Sequence, residues 1–438
     1  MAIVIRNGRV VDPSQDFDAV ADLVVDAGRV VAIGADLAVP DGAEIVDAGG
    51  WIVTPGLVDV HTHLRDPGFA AKETLETGAA AALRGGFTSI CCMSNTNPAL
   101  DRAEHIADIV ERAHDLPVRI FPLGSITVGR ALETLADLQG MARAGAVGFS
   151  DDGESTRNAQ TMREALEWSA ESGLPIMVHC EDWSLINGGV MHEGAVSREL
   201  GLPGLPAAAE EIIINRDIEL ARITGGWLHV LHVSTARGRE LVRRAKFDGL
   251  RVTGEVMPHH LLMTDEWVAG RRRFVGSDQE STGPRPDPNA KVNPPLRTAA
   301  DAQALLGGLL DGTFDIIATD HAPHALVDKP SDLTHAASGM IGFEVAVPML
   351  LELVRDGRLP MPLLVELLST RPAQLFHLPG GTLRPGSVAD VTLIDPNREW
   401  IVDASSLASR SKNTPLLGMT LRGKVSLTMV EGEIRYRA

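Results

Sequence analysis

Cysteine is scarce, with only Cys91, Cys92 and Cys180 in 438 residues. An odd count with no Cys-x-x-Cys pair excludes a disulfide framework and a structural zinc knot, and leaves the three thiols as small core residues. No apolar run reaches the ~18 residues that a membrane-crossing helix needs. Met1 to Val11 is too polar and broken for a secretory leader, so the chain is expected to be soluble, cytoplasmic and without a membrane partner. Basic charge is also in deficit, 40 Lys and Arg against 58 Asp and Glu, for a formal net charge of −18. Phosphate backbones are held by clustered Lys and Arg, so nucleic acid is excluded as a partner. A small anionic substrate is not, because a local metal and an arginine can hold one. No Gly-x-Gly-x-x-Gly follows an early strand, which counts against a dinucleotide-binding open sheet.

What the chain does have is a globular balance, 44% hydrophobic and 22% charged, and a rhythm of short apolar runs. Ala2 to Ile5 running to Asn7-Gly8, Asp22 to Asp26, Val30 to Gly34 and Ile45 to Ala48 read as strands broken by Asn-Gly and Ala-Gly turns. The far end repeats the pattern at Ala389 to Pro396, Lys424 to Val430 and Gly432 to Tyr436. Residues 1–54 and 380–438 are therefore expected to form one composite β-sandwich domain. Between them, over 55–379, strand-like runs alternate with helical stretches. The runs are Leu57 to Val60, Thr88 to Met93, Val118 to Pro122, Ala146 to Phe149, Pro175 to Val178, Trp227 to Leu231, Leu250 to Glu255 and Phe314 to Ala318. Helical periodicity falls at Lys72 to Arg84, Ala103 to Ala113, Met162 to Ser172, Ala208 to Thr224 and Gly238 to Phe247, several closed by a glycine. This α/β order predicts a TIM-type (β/α)8 barrel, whose chemistry sits at the C-terminal ends of its strands. Trp267 to Ala290, rich in Pro, Gly and charge, reads as an exposed, solvated insertion.

That rule selects one set of residues. His61, His63 and Arg65 follow the first strand, Asp151 and Asp152 the fourth, His179 the fifth, His232 the sixth, and Asp320, His321 and His324 the eighth. One such histidine means little, but histidines and carboxylates at five strand ends point to a metal centre. Imidazole with carboxylate suits Zn²⁺, and six ligands exceed one tetrahedral ion, so two metals sharing a bridging group are expected. Metal lowers the pKa of bound water to ~7, which makes a hydroxide nucleophile and points to hydrolysis, or its reverse, at a carbonyl.

The motifs His61-Thr62-His63-Leu64-Arg65-Asp66-Pro67-Gly68, Met93-Ser94-Asn95-Thr96, Phe149-Ser150-Asp151-Asp152-Gly153, His179-Cys180-Glu181-Asp182, His232-Val233-Ser234-Thr235, Pro258-His259-His260-Leu261, Asn293-Pro294-Pro295-Leu296-Arg297 and Ala318-Thr319-Asp320-His321-Ala322-Pro323-His324 together resemble the dihydroorotases of the amidohydrolase superfamily. The resemblance spans almost the whole chain. It implies reversible interconversion of N-carbamoyl-L-aspartate and L-dihydroorotate, the ring-closing step of pyrimidine (UMP) synthesis. It makes His61 and His63 ligands of one Zn²⁺, His179 and His232 ligands of a second, and Asp152 their bridge. Asp320 becomes both a ligand and the proton shuttle. Arg65, Asn95, Asn293 and His324 match the family's substrate contacts, as does the segment at Ser338 and Gly339, where the usual triplet is replaced by Ala337-Ser338-Gly339. His259, His260 and His321 are read as histidines that hold strand ends. A homodimer that can associate with aspartate transcarbamoylase is further implied.

Two other readings compete. Cyclic-amide hydrolases of the hydantoinase, dihydropyrimidinase or allantoinase type share the His-x-His, but they usually bridge their metals with a carbamylated lysine on strand four, where this chain has Gly148-Phe149-Ser150-Asp151-Asp152. A non-catalytic dihydroorotase-like subunit of aspartate transcarbamoylase would be expected to have lost ligands, and here every matched ligand is present.

Overall fold

A computed structural model describes residues 2–186 and 188–438. The two ends of the chain meet in one eight-stranded sheet. Ile3–Asp12, Phe17–Asp26, Arg29–Gly34, Glu44–Asp47 and Ile52–Pro55 come from the N-terminal side, and Val391–Ile401, Thr420–Val430 and Glu433–Arg437 from the C-terminal side. The seam is antiparallel, with Val391 opposite Pro55 and Ile394 opposite Ile52. Alternating apolar side chains from both sides, among them Ile5, Leu23, Val53, Leu393 and Leu427, bury themselves in one shared core. Asn7-Gly8 makes no hairpin. Asn7 takes a left-handed φ of 62° inside the first strand, and the register slips between Ile5 and Gly8, so the pair forms a bulge. A Cβ on Gly8 would lie 2.5 Å from Val53, which leaves room for glycine only.

From Leu57 onward the pairing becomes parallel. Leu57–Thr62, Phe87–Cys92 and Arg119–Pro122 form one sheet, and Ile176–Val178, Leu228–Val230, Val252–Val256 and Ile316–Ile317 another. Single parallel bridges join the two sheets. Phe149 pairs with both Gly124 and Ile176, and His321 pairs with Thr62, so the pairing returns to its first strand. The expected strand at Ala146 to Phe149 is thus reduced to the one bridging residue. Val58, Val60, Cys91, Leu123, Met177, Leu231, Met257 and Ile316 share a buried cluster between these segments. Helices alternate with them, including Leu75–Gly85, Ala103–Ala113, Ala159–Ser172, Ala207–Thr224 and Ala236–Phe247. The first of these opens on a capping box at Thr74 and closes at Gly86 with φ 88°. Cys91, Cys92 and Cys180 are buried free thiols. Among the described residues no helix is long and apolar enough to cross a membrane.

The stretch from Trp267 to Ala290 is exposed or partly exposed over 276–286, as read, but departs from that reading at its two ends. Trp267 is fully buried and stacks on Phe274, with ring centroids 5.3 Å apart. Arg271–Arg272 pairs with Ser281–Thr282, and the buried Arg272 donates to the buried Asp287 at 2.7 Å. The aromatic anchors and this ion pair outweigh the polar composition around them.

Candidate metal centre

His61, His63, Asp152, His179, His232 and Asp320 come together at the C-terminal ends of the parallel strands, and all six are buried. Two tight groups form, His61 with His63 and Asp320, and His61 with Asp152 and His232. Asp152 faces both sides. Its Oδ1 lies 3.6 Å from His61 Nε2, 3.5 Å from His179 Nδ1 and 3.2 Å from His232 Nε2, while its Oδ2 lies 3.4 Å from His63 Nε2. Asp320 Oδ1 sits 2.9 Å from His63 Nε2 and 3.6 Å from His61 Nε2. Asp151, by contrast, turns away and accepts from Ile126 N, Thr127 N and Thr127 Oγ1. Of the adjacent pair, only Asp152 therefore faces the histidines.

The backbone bends sharply to bring these groups in. Arg65 (φ 60°), His232 (φ 29°) and Asp320 (φ 48°) are non-glycine residues in the left-handed region. Each costs about 1–3 kcal/mol, which the surrounding packing must offset. Asp59 fixes the join between the first and last parallel strands by accepting from His61 N at 3.1 Å and Thr319 Oγ1 at 2.5 Å.

Three of the four imidazoles have their far nitrogen tied down. His61 Nδ1 donates to Glu255 Oε1 at 2.5 Å, His63 Nδ1 to Asn95 Oδ1 at 3.0 Å, and His179 Nε2 to Glu181 Oε2 at 3.3 Å. Glu255 continues inward, accepting from His229 Nε2 at 3.3 Å, and His229 Nδ1 in turn faces Thr253 Oγ1 at 2.7 Å. Sequence reasoning passed over Glu255, His229 and Glu181. The signal was there, since an acid in Val252-Thr253-Gly254-Glu255-Val256 and an imidazole in Leu228-His229-Val230 interrupt otherwise apolar strands.

The donor set fits a divalent ion. Ligand atoms around a tetrahedral centre with bonds of about 2.0–2.1 Å lie about 3.3–3.4 Å apart, close to the separations seen here. His61 Nε2 is buried among them with no hydrogen-bond partner among the described residues. Asp152, Asp320, Glu255 and Glu181 also concentrate carboxylates in a buried space that calls for positive charge. Burial acts to raise Asp152, but the imidazoles of His61, His179 and His232 overcome it and hold the carboxyl well below its usual range. Asp320 is likewise lowered, against burial, by the His63 imidazole 2.9 Å away and by His61 and His232, and so stands ionised.

Beside this cluster lies a cationic edge. Arg65 Nε donates to the Pro323 carbonyl at 3.2 Å, and its Nη2 lies 3.3 Å from His324 Nε2. His324 donates from Nε2 to the Ser338 carbonyl at 2.8 Å, and its Nδ1 faces Lys72 Nζ at 3.5 Å. Burial, with Arg65, Lys329 and Lys72 nearby, pushes His324 down to about 2, so it is neutral. Gly339 has φ 129°, and a Cβ there would lie 2.7 Å from the Ala322 side chain. Asn293 donates to Glu181 Oε2 at 2.8 Å, and Asn95 serves His63, so both reach the cluster through its histidines and carboxylates. His260 donates to the Pro294 carbonyl at 2.9 Å, and His321 stacks on Phe343 while bonding to Glu73. His259 is buried against His260, with ring centroids 4.4 Å apart.

Buried imidazoles and carboxylates gathered at the C-terminal ends of parallel strands are the arrangement of an amidohydrolase. Residues 50–238 match the family model described as "Dihydro-orotase-like". The chain is 45% identical over 439 residues to the dihydroorotase of Geobacter sp. (strain M21), with both chains fully covered. It is 46% identical over 438 residues, again with full coverage of both, to that of Pelobacter propionicus. Among solved structures it is similar to an L-hydantoinase (dihydropyrimidinase) from Arthrobacter aurescens, with 30% identity, a TM-score of 0.85 and coverage of 99% and 96%. A dihydropyrimidinase from Brevibacillus agri follows with 25% identity, a TM-score of 0.84 and coverage of 100% and 95%. The chain belongs to the dihydroorotase family.

Proposed function

We propose that this protein interconverts N-carbamoyl-L-aspartate and L-dihydroorotate, with two Zn²⁺ per chain held by His61, His63, Asp152, His179, His232 and Asp320. The parallel segments form a closed (β/α)8 barrel over 55–379, and 1–54 with 380–438 form a composite β-sandwich domain beside it. The observation that carries the reading is the placement of Asp152, one oxygen toward His61, His179 and His232 and the other toward His63. A carboxylate so placed could be shared by two ions without a modified lysine, and dihydroorotase relatives share the full length of the chain.

Bound zinc would polarise the scissile carbonyl and acidify water at this site. In the ring-opening direction Asp320 accepts the proton of the attacking water and returns it to the ring nitrogen as the amide C–N bond breaks. Ring closure runs the same proton path backwards. Arg65, with Lys72 behind His324, supplies the positive edge for the substrate carboxylate. His324, neutral and fixed at Nε2, orients that edge without adding charge, and Ser338 and Gly339, held through their own backbone by His324, Lys291 and Asn413, border the ring.

The likeness to hydantoinase and dihydropyrimidinase structures favours hydrolysis of a hydantoin or dihydropyrimidine as the second reading. Assays of the zinc-loaded protein separate the two. Turnover of N-carbamoyl-L-aspartate and dihydroorotate, with none of hydantoin or dihydrouracil, is expected, and the opposite pattern overturns the proposal. Elemental analysis should find about two divalent ions per chain. Fewer than about one, with no rescue of turnover by added zinc, would favour a non-catalytic subunit.

A further inference from the structure

Two of the substrate-facing segments have little regular structure of their own. Pro288 to Asn293 carries Asn293, and Leu326 to Gly339 carries Ser338 and Gly339. Their junction is made by two buried lysines, Lys291 and Lys329. Lys329 Nζ donates to the Pro288 carbonyl at 3.1 Å, the Lys291 carbonyl at 3.2 Å and the Ala337 carbonyl at 2.7 Å. Lys291 Nζ crosses in the other direction to the Leu333 carbonyl at 2.8 Å. Gly339 N donates to the Lys291 carbonyl at 2.9 Å, and Ala337 N to Asp328 O at 2.8 Å. Lys329 places all three of its protons on backbone carbonyls and Lys291 one, and neither has an ion pair among the described residues.

We propose that Lys329 is a positioning residue for the reaction: its buried ammonium clamps the Pro288–Asn293 and Ala337–Gly339 segments into one wall, so that Asn293 and Gly339 meet the substrate together. The proposal rests on the functional reading above and adds to it a residue that touches neither metal ligands nor substrate. A buried cation without a counter-ion is costly, and two loop segments could be closed into a wall more cheaply by apolar packing. Its three donors match three carbonyls on two segments, which apolar packing cannot do.

The same geometry makes the clamp sensitive to pH. Burial, then the neighbouring Lys291, lower Lys329 to about 7. The charged groups facing it are Lys291 and Asp287 from one segment, Asp328 and the neutral His324 from its own, and Arg65 from the loop after the first parallel strand. Asp287 is taken by Arg272 at 2.7 Å, and Asp328 leans toward Lys72 at 3.4 Å. Above about pH 7 the neutral amine keeps two N–H groups for three carbonyls, and one wall contact is lost.

Steady-state kinetics with dihydroorotate on the zinc-loaded parent, Lys329→Met and Lys329→Arg, from about pH 6 to about pH 9, tests this. Lys329→Met should raise KM about tenfold or more while kcat changes less than about threefold and zinc content is unchanged. In the parent, KM should climb as pH rises through about 7, and in Lys329→Arg, which stays charged, that climb should disappear. Parent-like KM and pH dependence in Lys329→Met, or loss of zinc together with kcat, overturns the clamp. Should Lys329→Met fail to fold, a parent KM that is flat with pH, or a climb that persists in Lys329→Arg, overturns it equally. A parent that turns over neither substrate overturns instead the functional reading, so the two failures are distinct.

Discussion

An imidazole that is to bind a metal through one nitrogen needs the other fixed, and at His61 the residue placed to do this is Glu255, buried on the strand Val252–Val256 and itself braced by His229. The carboxylate selects the tautomer that leaves Nε2 free and raises its basicity. Glu255→Gln keeps the shape but removes the charge, so retention of metal should fall about 10–100-fold, read by competition with a chelator of known affinity. Unchanged retention would mean that Glu255 only fills space. Asp320 has the opposite profile. It is buried and ionised, with its Oδ1 2.9 Å from His63 Nε2. Asp320→Asn should abolish turnover while the protein stays folded and still binds metal at Asp152, His179 and His232, as circular dichroism and metal analysis would show. Near-normal turnover would assign the proton transfer elsewhere. The histidines and aspartates of the cluster were legible in the sequence because one rule, the strand's C-terminal end, picks them all. Glu255 and His229 were legible only as polar interruptions of apolar strands; that they pair with each other and with His61 was not, because those partners lie far away in the chain.

At the level of elements, the alternation of short apolar runs with helical periodicity was readable, and helices such as Ala103–Ala113 fall where it placed them. Boundaries moved most where hydrogen bonding is thinnest, as at Phe149, which pairs as a single residue on each side. The ends of the insertion after Trp267, though not its exposed middle, were misjudged for a physical reason. Composition averages over a segment, whereas its burial is decided by Trp267, Phe274 and the Arg272–Asp287 pair. Asp287 also accepts from Asn289 N at 3.0 Å and so shapes the approach to Lys291 and Asn293. Removing one partner of a buried pair strands the other charge. Arg272→Met should therefore destabilise the protein by about 3–5 kcal/mol, measured by denaturant unfolding. A loss below about 1 kcal/mol would show that Asp287 finds water instead.

For the molecule as a whole, the two ends of the chain do more than close a sheet. Between Val391–Ile401 and Thr420–Val430 the chain leaves the sheet and runs back to the site. Arg410 N donates to Glu73 Oε1 at 2.9 Å, and Ser411 Oγ to the Lys72 carbonyl at 2.6 Å. Asn413 accepts from His324 N at 2.9 Å and donates to the carbonyls of Ala322 at 3.0 Å and Gly339 at 3.1 Å. Contacts between residues so far apart in the chain leave no local pattern, which is why the sequence placed this stretch in the outer sheet alone. One buried amide thus ties the loop after the last parallel strand to Gly339, and both to the C-terminal region. Asn413→Ala leaves three backbone groups unpaired in a buried place, each costing about 1–3 kcal/mol of unfolding free energy where water does not replace the amide. His324 and Gly339 would then be free to drift, so KM for the carboxylated substrate should rise while metal content stays at the parent level. Because no metal ligand touches Asn413, a loss of metal with unchanged KM would instead place the terminal segment in support of the metal centre. Parent-like stability and KM would reduce it to packing.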